Sequence, residues 1–267
     1  MKNYLSSTSL KSQAKGQLLG KYGTLAGTYA IHALCVSALS GITSLFLNPG
    51  SVIEYIIYFA VSFLISIFSG LFSYGEAYIY LKTSCGQQPV LSDLFYGFKQ
   101  TPDRIIRVAV VFSLISYLLN LPVFLLSLLP QETLLNGYGM LLFSLLTVVC
   151  AVIGMLLMLT YSQSYYLLLD FPDCSAREAL RKSRDMMKGS KGRLFYIDLT
   201  FVPLMLLCVL TCGIGLLWLM PYMQATKANF YLDLVQKNRQ KSGQILVIYY
   251  QYFSCIFFCS LFFVKCA

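Results

Sequence analysis

Six long runs of apolar and uncharged residues dominate the chain, and none of them contains Asp, Glu, Lys or Arg. Each run exceeds the roughly 18–20 residues that a helix needs to cross a hydrocarbon core about 30 Å thick. One such run would suit a buried helix of a soluble protein, but six leave too few polar faces for a water-soluble fold. The pattern therefore predicts an all-α, polytopic helical membrane protein. The runs cover residues 22–47, 55–75, 108–131, 133–169, 199–226 and 242–264.

The positive charges lie between these runs. Nineteen of the 20 Lys and Arg residues fall into four clusters, within residues 2–21, 82–107, 177–193 and 227–241. Cytoplasmic loops of membrane proteins collect Lys and Arg, so we place all four clusters and the N-terminus in the cytoplasm. The net charge of +9 then reflects topology, and we expect no nucleic-acid partner.

The run 199–226 allows two topologies. As one span, it would put the fourth basic cluster outside; as a hairpin that turns at Gly213-Ile-Gly215, it keeps that cluster inside. We choose the hairpin, because glycines suit a tight turn. Six spans then form three antiparallel hairpins within one transmembrane domain, 1–241. The predicted spans are about 22–47, 52–80, 105–129, 139–169, 194–212 and 214–234, and the predicted amphipathic interfacial helices are about 8–20, 91–99 and 175–189.

The second helix of each hairpin carries a short motif, Tyr-x-[Glu/Gln]-small. An internal threefold repeat is one interpretation and chance similarity is the other. One interpretation of the polar residues is that they form hydrogen bonds that hold the hairpins together. The alternative is that they form a polar site open to the cytoplasm, in which Glu76 is the sole acid. The candidate polar layer consists of Tyr74, Glu76, Tyr161, Gln163, Tyr222 and Gln224.

The third basic cluster forms a predicted amphipathic helix. Ser175 followed by Glu178 is a capping box, in which each side chain satisfies a free amide at the helix start. Gly189 is expected to end the helix. The basic face suits anionic headgroups, and the alternatives are simple surface anchoring and specific headgroup recognition. The candidate lipid contacts are Arg177, Arg181, Arg184, Lys188, Lys191 and Arg193.

Catalytic and metal-binding signatures are missing from the sequence. It has no Walker A loop, dinucleotide-binding glycine pattern or G-x-S-x-G motif,. The single histidine, His32, lies within a span, and the cysteines are spaced as apolar packing residues rather than as zinc ligands. We therefore expect no enzyme activity, no cofactor and no metal.

Several segments resemble one known family. They are 170–173 (Asp-Phe-Pro-Asp), 179–189, 194–199, 213–222 and 228–231, with weaker agreement at 11–23 and 93–98. These segments are similar to bacterial membrane proteins grouped as domain of unknown function 975. The resemblance implies a multi-spanning protein of the bacterial cytoplasmic (inner) membrane and a distant relation to the membrane domain of glycerophosphodiester phosphodiesterases. It supplies no activity and no catalytic residue.

The C-terminal extension, 242–267, departs from that family. It can be read as a seventh span, as an interfacial segment, or as an aberrant tail from a shifted reading frame. Lys265 in this extension is the one basic residue outside the four clusters.

The leading functional hypothesis is a non-enzymatic inner-membrane protein, transporter-like or an accessory subunit. It would handle a lipid, a peptide or an envelope precursor, with membrane lipids and a membrane protein as partners. The alternative is a scaffold, interaction or immunity-type protein with no substrate of its own.

Overall fold

The computed structural model describes residues 4–46, 52–99, 102–127, 137–211 and 213–242, and these ranges contain helices but no strand. Eleven α-helices are present in the described part of the chain, together with one 3-10 turn, Leu91–Phe95. In chain order the helices are α1 (Ser7–Leu18), α2 (Tyr22–Phe46), α3 (Val52–Ser84), α4 (Tyr96–Lys99), α5 (Pro102–Ser127), α6 (Gly137–Tyr161), α7 (Ser164–Asp170), α8 (Ala176–Met187), α9 (Lys191–Leu199), α10 (Val202–Leu210) and α11 (Leu216–Ser242).

Five helical stretches in the described residues are long and apolar enough to cross a membrane. They are Tyr22–Leu45, Ile53–Ser84, Pro102–Leu126, Gly137–Asp170 and Lys191–Leu210. The all-α, polytopic helical membrane fold is thereby confirmed. The sixth predicted span falls on α11, which is not among the five, and its C-terminal half carries several charges. The number of spans stays a prediction, and the extension 243–267 lies outside the described residues.

Hydrogen bonds between helix ends gather the basic clusters at one end of the bundle, which we call the basic end. Lys21, just before α2, donates from Nζ to the Gln87 carbonyl just beyond α3 (2.9 Å). Arg104 in the first turn of α5 donates to the Cys174 carbonyl before α8 (3.3 Å). Arg193 of α9 pairs with Asp233 of α11 (2.8 Å). All four clusters therefore reach the same side of the fold.

The buried core also lies toward the basic end. The largest fully buried side chains are Phe72, Tyr80, Phe201, Phe230 and Tyr231, and their helices meet there. The opposite halves of the long helices expose apolar side chains, as expected for surfaces that face lipid. These include Leu45 of α2, Leu64 of α3, Leu118 of α5, Leu145 of α6 and Leu210 of α10.

Helix α1 is held by the protein rather than lying free on the membrane. Its apolar stripe, Leu10, Ala14 and Leu18, is fully buried, and the helix packs chiefly against α11. Asn229 Nδ2 donates to Gln17 Oε1 (3.0 Å) and joins the two helices. Protein therefore covers the apolar face of this helix, and its location at the membrane interface stays a prediction.

The segment 91–99 packs tightly against α3 as the 3-10 turn and α4. Lys82 of α3 pairs with Asp93 in the turn (2.8 Å), and Asp93 Oδ2 also accepts from the backbone N–H of Val90 (3.1 Å). A Cβ atom added to Gly75 would lie 2.0 Å from the carbonyl oxygen of Leu94. The glycine inside the first Tyr-x-Glu motif therefore permits direct backbone contact with this segment.

The chain turns between α10 and α11 at the glycine pair 213–215. Gly213 has a φ of 85°, a left-handed conformation in which a side chain is strained. The backbone N–H of Gly215 donates to Thr211 Oγ1 (3.2 Å), and α10 packs against α11. A second break at Thr200 and Phe201 separates α9 from α10.

Candidate functional site

Glu76 and His32 form a buried pair between α3 and α2. Nδ1 of His32 lies 2.8 Å from Oε1 of Glu76, and Nε2 of the same ring lies 3.1 Å from Oγ of Ser69. The side chain of His32 is 14% exposed and that of Glu76 is 8% exposed. The acid that the sequence singled out therefore has a partner on the neighbouring helix.

Packing and helix geometry hold this pair in place. Ser69 and Glu76 are seven residues apart, so two turns of α3 put them on one face, toward His32. The ring of Phe72, one turn before Glu76, stacks on the His32 ring with centroids 5.2 Å apart. Glu76 lies eight residues before the end of α3, which is about 12 Å along the helix axis. The pair is therefore inside the bundle, near the basic end.

Three tyrosines interact electrostatically with the Glu76 carboxylate, namely Tyr29, Tyr80 and Tyr166. They come from α2, α3 and α7, and two of them, Tyr80 and Tyr166, are almost completely buried. Residues of three helices therefore contribute to the electrostatic surroundings of Glu76.

Tyr166 also links the environment of Glu76 to residues nearer the protein surface. Its ring stacks on Tyr231 of α11 with centroids 5.1 Å apart, and the Tyr231 hydroxyl donates to Asp170 Oδ2 (2.5 Å). Asp170 is partly exposed and lines a small surface pocket beside α8. A row of polar aromatic residues thus leads from Asp170 at the surface toward Glu76.

The pair brings a carboxyl group and an imidazole within hydrogen-bond distance inside the bundle. An unbalanced charge is costly at such a site, so each side chain needs a polar partner. No cluster of three or more His, Cys, Asp and Glu suited to a metal occurs in the described ranges.

The connectivity Ser69–His32–Glu76 is that of a hydrolase triad, but its setting differs. A serine nucleophile works beside N–H donors that stabilise the oxyanion. Ser69 lies in the middle of α3, where backbone amides bond to carbonyls four residues back. The helix leaves no backbone N–H beside Ser69 for an oxyanion. The arrangement favours an acid–base pair over a nucleophilic site.

The other members of the candidate polar layer are not joined to Glu76 by any hydrogen bond found among the described residues. Gln163 is buried in the break between α6 and α7; its Nε2 donates to Ser162 Oγ (2.8 Å), and its Oε1 has no partner. Gln224 is half-buried within α11. The second motif thus interrupts a helix, whereas the other two lie within helices, and the threefold repeat stays a prediction.

The tyrosines of the three motifs also differ in their surroundings. Tyr74 stacks on Tyr96 of α4, with ring centroids 6.2 Å apart. Tyr161 is the half-buried last residue of α6. Tyr222 packs edge-on against Phe201 (5.1 Å). All three pack within the protein, Tyr74 and Tyr161 in the half of their helices nearer the basic end and Tyr222 in the N-terminal half of α11.

Helix α8 begins with the predicted capping box. The backbone N–H of Glu178 donates to Ser175 Oγ (3.3 Å), and the backbone N–H of Ser175 donates to Glu178 Oε2 (3.0 Å). Hydrogen bonds from the backbone N–H and the side chain of Ser175 lower the pKa of the Glu178 carboxyl,. Gly189, with a φ of 77°, follows the helix. The opposite face of α8 is buried through Ala176, Ala179, Ser183 and Met187.

The six candidate lipid contacts fall into two groups. Arg177, Arg181, Arg184 and Lys188 are exposed, whereas Lys191 and Arg193 are half-buried. Lys188 pairs with Asp185 (2.7 Å). Arg193 is held within the protein: it donates to Asp233 (2.8 Å) and to the Leu5 carbonyl (2.9 Å), and its guanidinium lies over the Tyr4 ring. Arg193 thus fastens the N-terminal segment to α9 and α11.

Replacing Arg193 with glutamine is expected to cost about 2–3 kcal/mol of unfolding free energy. The reason is that Asp233, only 8% exposed, would lose a charged hydrogen-bond partner. The midpoint of thermal unfolding in mild detergent measures the change. Lys188→Gln is the matched control: its pair with Asp185 is solvent-exposed, so about 0.5 kcal/mol or less is expected. Equal effects of the two substitutions would show that Arg193 has no special structural role.

His32 is the residue of the site that the sequence did not indicate. A single histidine in an apolar run has no periodic pattern, and its partner lies 44 residues away. The one available signal was chemical: a buried acid in a membrane span needs a partner, and only one histidine was present in the chain.

Comparisons with known proteins give one match. No curated protein and no solved structure matches the chain, and the relation to the glycerophosphodiester phosphodiesterase membrane domain stays an expectation. The sequence model of one family, described as Protein of unknown function (DUF975), matches residues 1–238, which is most of the chain. The chain therefore belongs to the DUF975 family.

Proposed function

We propose that this chain is a non-enzymatic, transporter-like or accessory subunit that binds a lipid, a peptide or an envelope precursor beside the His32–Glu76 pair. The observation that carries the proposal is the buried Glu76 carboxylate, 2.8 Å from the one histidine of the chain and inside a membrane helix. Ionisable residues at such depth are rare and mark substrate, ion or proton pathways.

A contribution to folding stability alone does not explain why the His32–Glu76 pair is present. A buried ion pair adds little over apolar residues of similar size, because the loss of hydration offsets the attraction between the charges. The pair also differs from the neutral contact between Ser66 and Ser113 (2.8 Å), which joins α3 to α5 without a net charge in either side chain. An ionisable pair can bind a charged or polar substrate group, a use that a neutral contact lacks.

The proposed setting is the cytoplasmic membrane of a bacterium. The basic end, with the N-terminus, would face the cytoplasm under the positive-inside rule. The row from Asp170 through Tyr231 and Tyr166 would then connect Glu76 to the cytoplasmic side. Exposed aromatic residues at the other end, Tyr138 of α6 and Trp218 of α11, suit the outer interface, where aromatic side chains collect.

The absence of enzyme activity is part of the proposal. It rests on the position of Ser69 in the middle of α3, where backbone donors for an oxyanion are already used. A fluorophosphonate probe, which labels activated serines, should leave the purified protein unlabelled. Labelling that disappears in Ser69→Ala would overturn this part of the proposal.

Glu76→Gln is expected to keep the fold and lose the bound molecule. Glutamine has the same shape, and its Oε1 still accepts from His32, so the unfolding midpoint should change little. In the proposed site the Glu76 carboxylate also makes a charged hydrogen bond to the bound molecule. Such a bond contributes about 1.5–3 kcal/mol, so its loss predicts a loss of retention of about tenfold or more. Native mass spectrometry of gently purified protein measures the fraction that carries a co-purified small molecule.

Asp185→Asn is the matched control, since it removes one carboxylate from an exposed pair and should leave retention unchanged. If Glu76→Gln retains the same molecule as the wild type, the proposed site is wrong. If both fold and retention are lost, the role of Glu76 is structural.

A scaffold is the second candidate, and helix α6 supports it. None of the most apolar 18-residue stretch within Gly137–Asp170 is buried by the rest of the chain, so this helix offers a long surface for a membrane protein partner. A scaffold should tolerate Glu76→Gln in cells and keep its protein partner on purification, whereas the favoured function should not survive that substitution.

A further inference from the structure

The basic face of α8 is placed at the level of lipid headgroups. Ser183 Oγ on its buried face donates to the Thr160 carbonyl at the end of α6 (3.0 Å), and the Gln163 backbone N–H donates to Ser183 Oγ (3.3 Å). Helix α6 has 25 residues, or about 37 Å of length, against a hydrocarbon core of about 30 Å. Thr160 therefore lies near the membrane boundary, and α8 lies beside it.

The orientation of α8 is fixed by two opposite faces. One face, with Ala179, Ser183 and Met187, is buried against the bundle. The other face carries exposed arginines at 177, 181 and 184, spaced four and three residues apart, so they form one stripe. The helix cannot roll to bury this stripe without exposing its apolar face.

The three arginines of this stripe differ from the neighbouring basic residues in their contacts. Lys188 pairs with Asp185, Lys182 lies over the ring of Phe171 (4.7 Å), and Arg193 pairs with Asp233. No ion pair engages Arg177, Arg181 or Arg184 within the described part of the chain. Their guanidinium groups can bind phosphate with two parallel hydrogen bonds.

We propose that Arg177, Arg181 and Arg184 form a binding surface for the phosphate groups of anionic phospholipids in the surrounding bilayer. The ligand class follows from the position of α8 at headgroup level and from charge complementarity. This proposal is independent of the Glu76 site, because the stripe faces away from the buried core.

The test is competition between two lipids for the purified full-length protein. Equal amounts of phosphatidylglycerol and phosphatidylcholine are added in mild detergent, and native mass spectrometry counts the lipids that stay bound. Each basic residue near an anionic surface contributes about fivefold in affinity. The wild-type protein should prefer phosphatidylglycerol, and the triple variant Arg177→Gln/Arg181→Gln/Arg184→Gln should lose that preference by about tenfold or more.

The control removes the same charge from exposed basic residues outside α8. Lys15→Gln/Lys99→Gln/Arg107→Gln should keep most of the preference. The single variant Arg181→Gln should show an intermediate loss, and it serves as the test if the triple variant fails to fold.

Any of four outcomes would overturn the proposal. The first three are a wild type without preference, a stripe variant that keeps the preference, and equal losses in the stripe variant and the control variant. Loss of binding to a soluble acidic protein with unchanged lipid preference would also overturn it, since the stripe would then serve a protein partner.

Discussion

Replacing Gly75 with alanine is expected to destabilise the protein by about 3 kcal/mol or more, the largest effect predicted for one methyl group. The added Cβ would lie 2.0 Å from the Leu94 carbonyl oxygen and 2.7 Å from its carbonyl carbon. These are backbone atoms, so no side-chain rotation relieves the overlap. Overpacked sites commonly cost about 1–3 kcal/mol, and a clash with backbone falls at or above the upper limit. The unfolding midpoint should fall by about 6 °C or more.

Gly23→Ala is the control, because a Cβ at that position in α2 meets nothing within 4 Å. There, alanine should leave stability unchanged or slightly higher, since glycine is the poorer helix former. A second variant, Gly97→Ala, probes the same contact from the other side, where the added Cβ would lie 2.6 Å from the Leu71 carbonyl oxygen. If Gly75→Ala and Gly23→Ala have equal midpoints, the 3-10 turn does not pack on α3 as described.

The Gly75 contact bears directly on the candidate site. Gly75 precedes Glu76, and the turn that it contacts is further fastened by the Lys82–Asp93 pair (2.8 Å). Segment 91–99 therefore holds the stretch of α3 that carries the acid. Gly75→Ala should therefore reduce both the stability of the protein and the retention of the bound molecule. Glu76→Gln, in contrast, should reduce retention and leave stability nearly unchanged.

Some of this architecture could be predicted because charge and capping act locally. Lys and Arg are costly in hydrocarbon, so their clustering predicted the basic end, which is held together by the contacts of Lys21 with Gln87, Arg104 with Cys174 and Arg193 with Asp233. The Ser175–Glu178 capping box involves residues three apart, and such short-range chemistry can be read from sequence.

Other features of the structure depend on tertiary contacts and leave no recognisable pattern in the sequence. The stripe Leu10, Ala14 and Leu18 is equally apolar whether lipid or α11 covers it, so the sequence did not distinguish them. The His32–Glu76 pair and the Arg193–Asp233 pair join residues 44 and 40 positions apart. One motif glutamine, Gln163, lies in a helix break that spacing alone did not predict.

A double-mutant cycle at His32 and Glu76 should show strong coupling between the two side chains. His32→Leu leaves a buried carboxylate without its partner, which is expected to cost about 3–5 kcal/mol. Glu76→Leu leaves a neutral imidazole that keeps the contact with Ser69, and about 1–2 kcal/mol is expected. The double variant replaces the pair by two apolar side chains and should be more stable than His32→Leu, which gives a coupling of about 3 kcal/mol. Thermal unfolding of the four proteins measures it.

A second cycle on a neutral pair serves as the control. Ser66→Ala and Ser113→Ala remove a neutral hydrogen bond between α3 and α5 (2.8 Å), for which a coupling of about 1 kcal/mol or less is expected. Equal coupling in both cycles would mean that His32 and Glu76 interact only as a neutral contact. A double variant that is stable but retains no small molecule would separate function from stability, because the pair would then be dispensable for folding and required for binding.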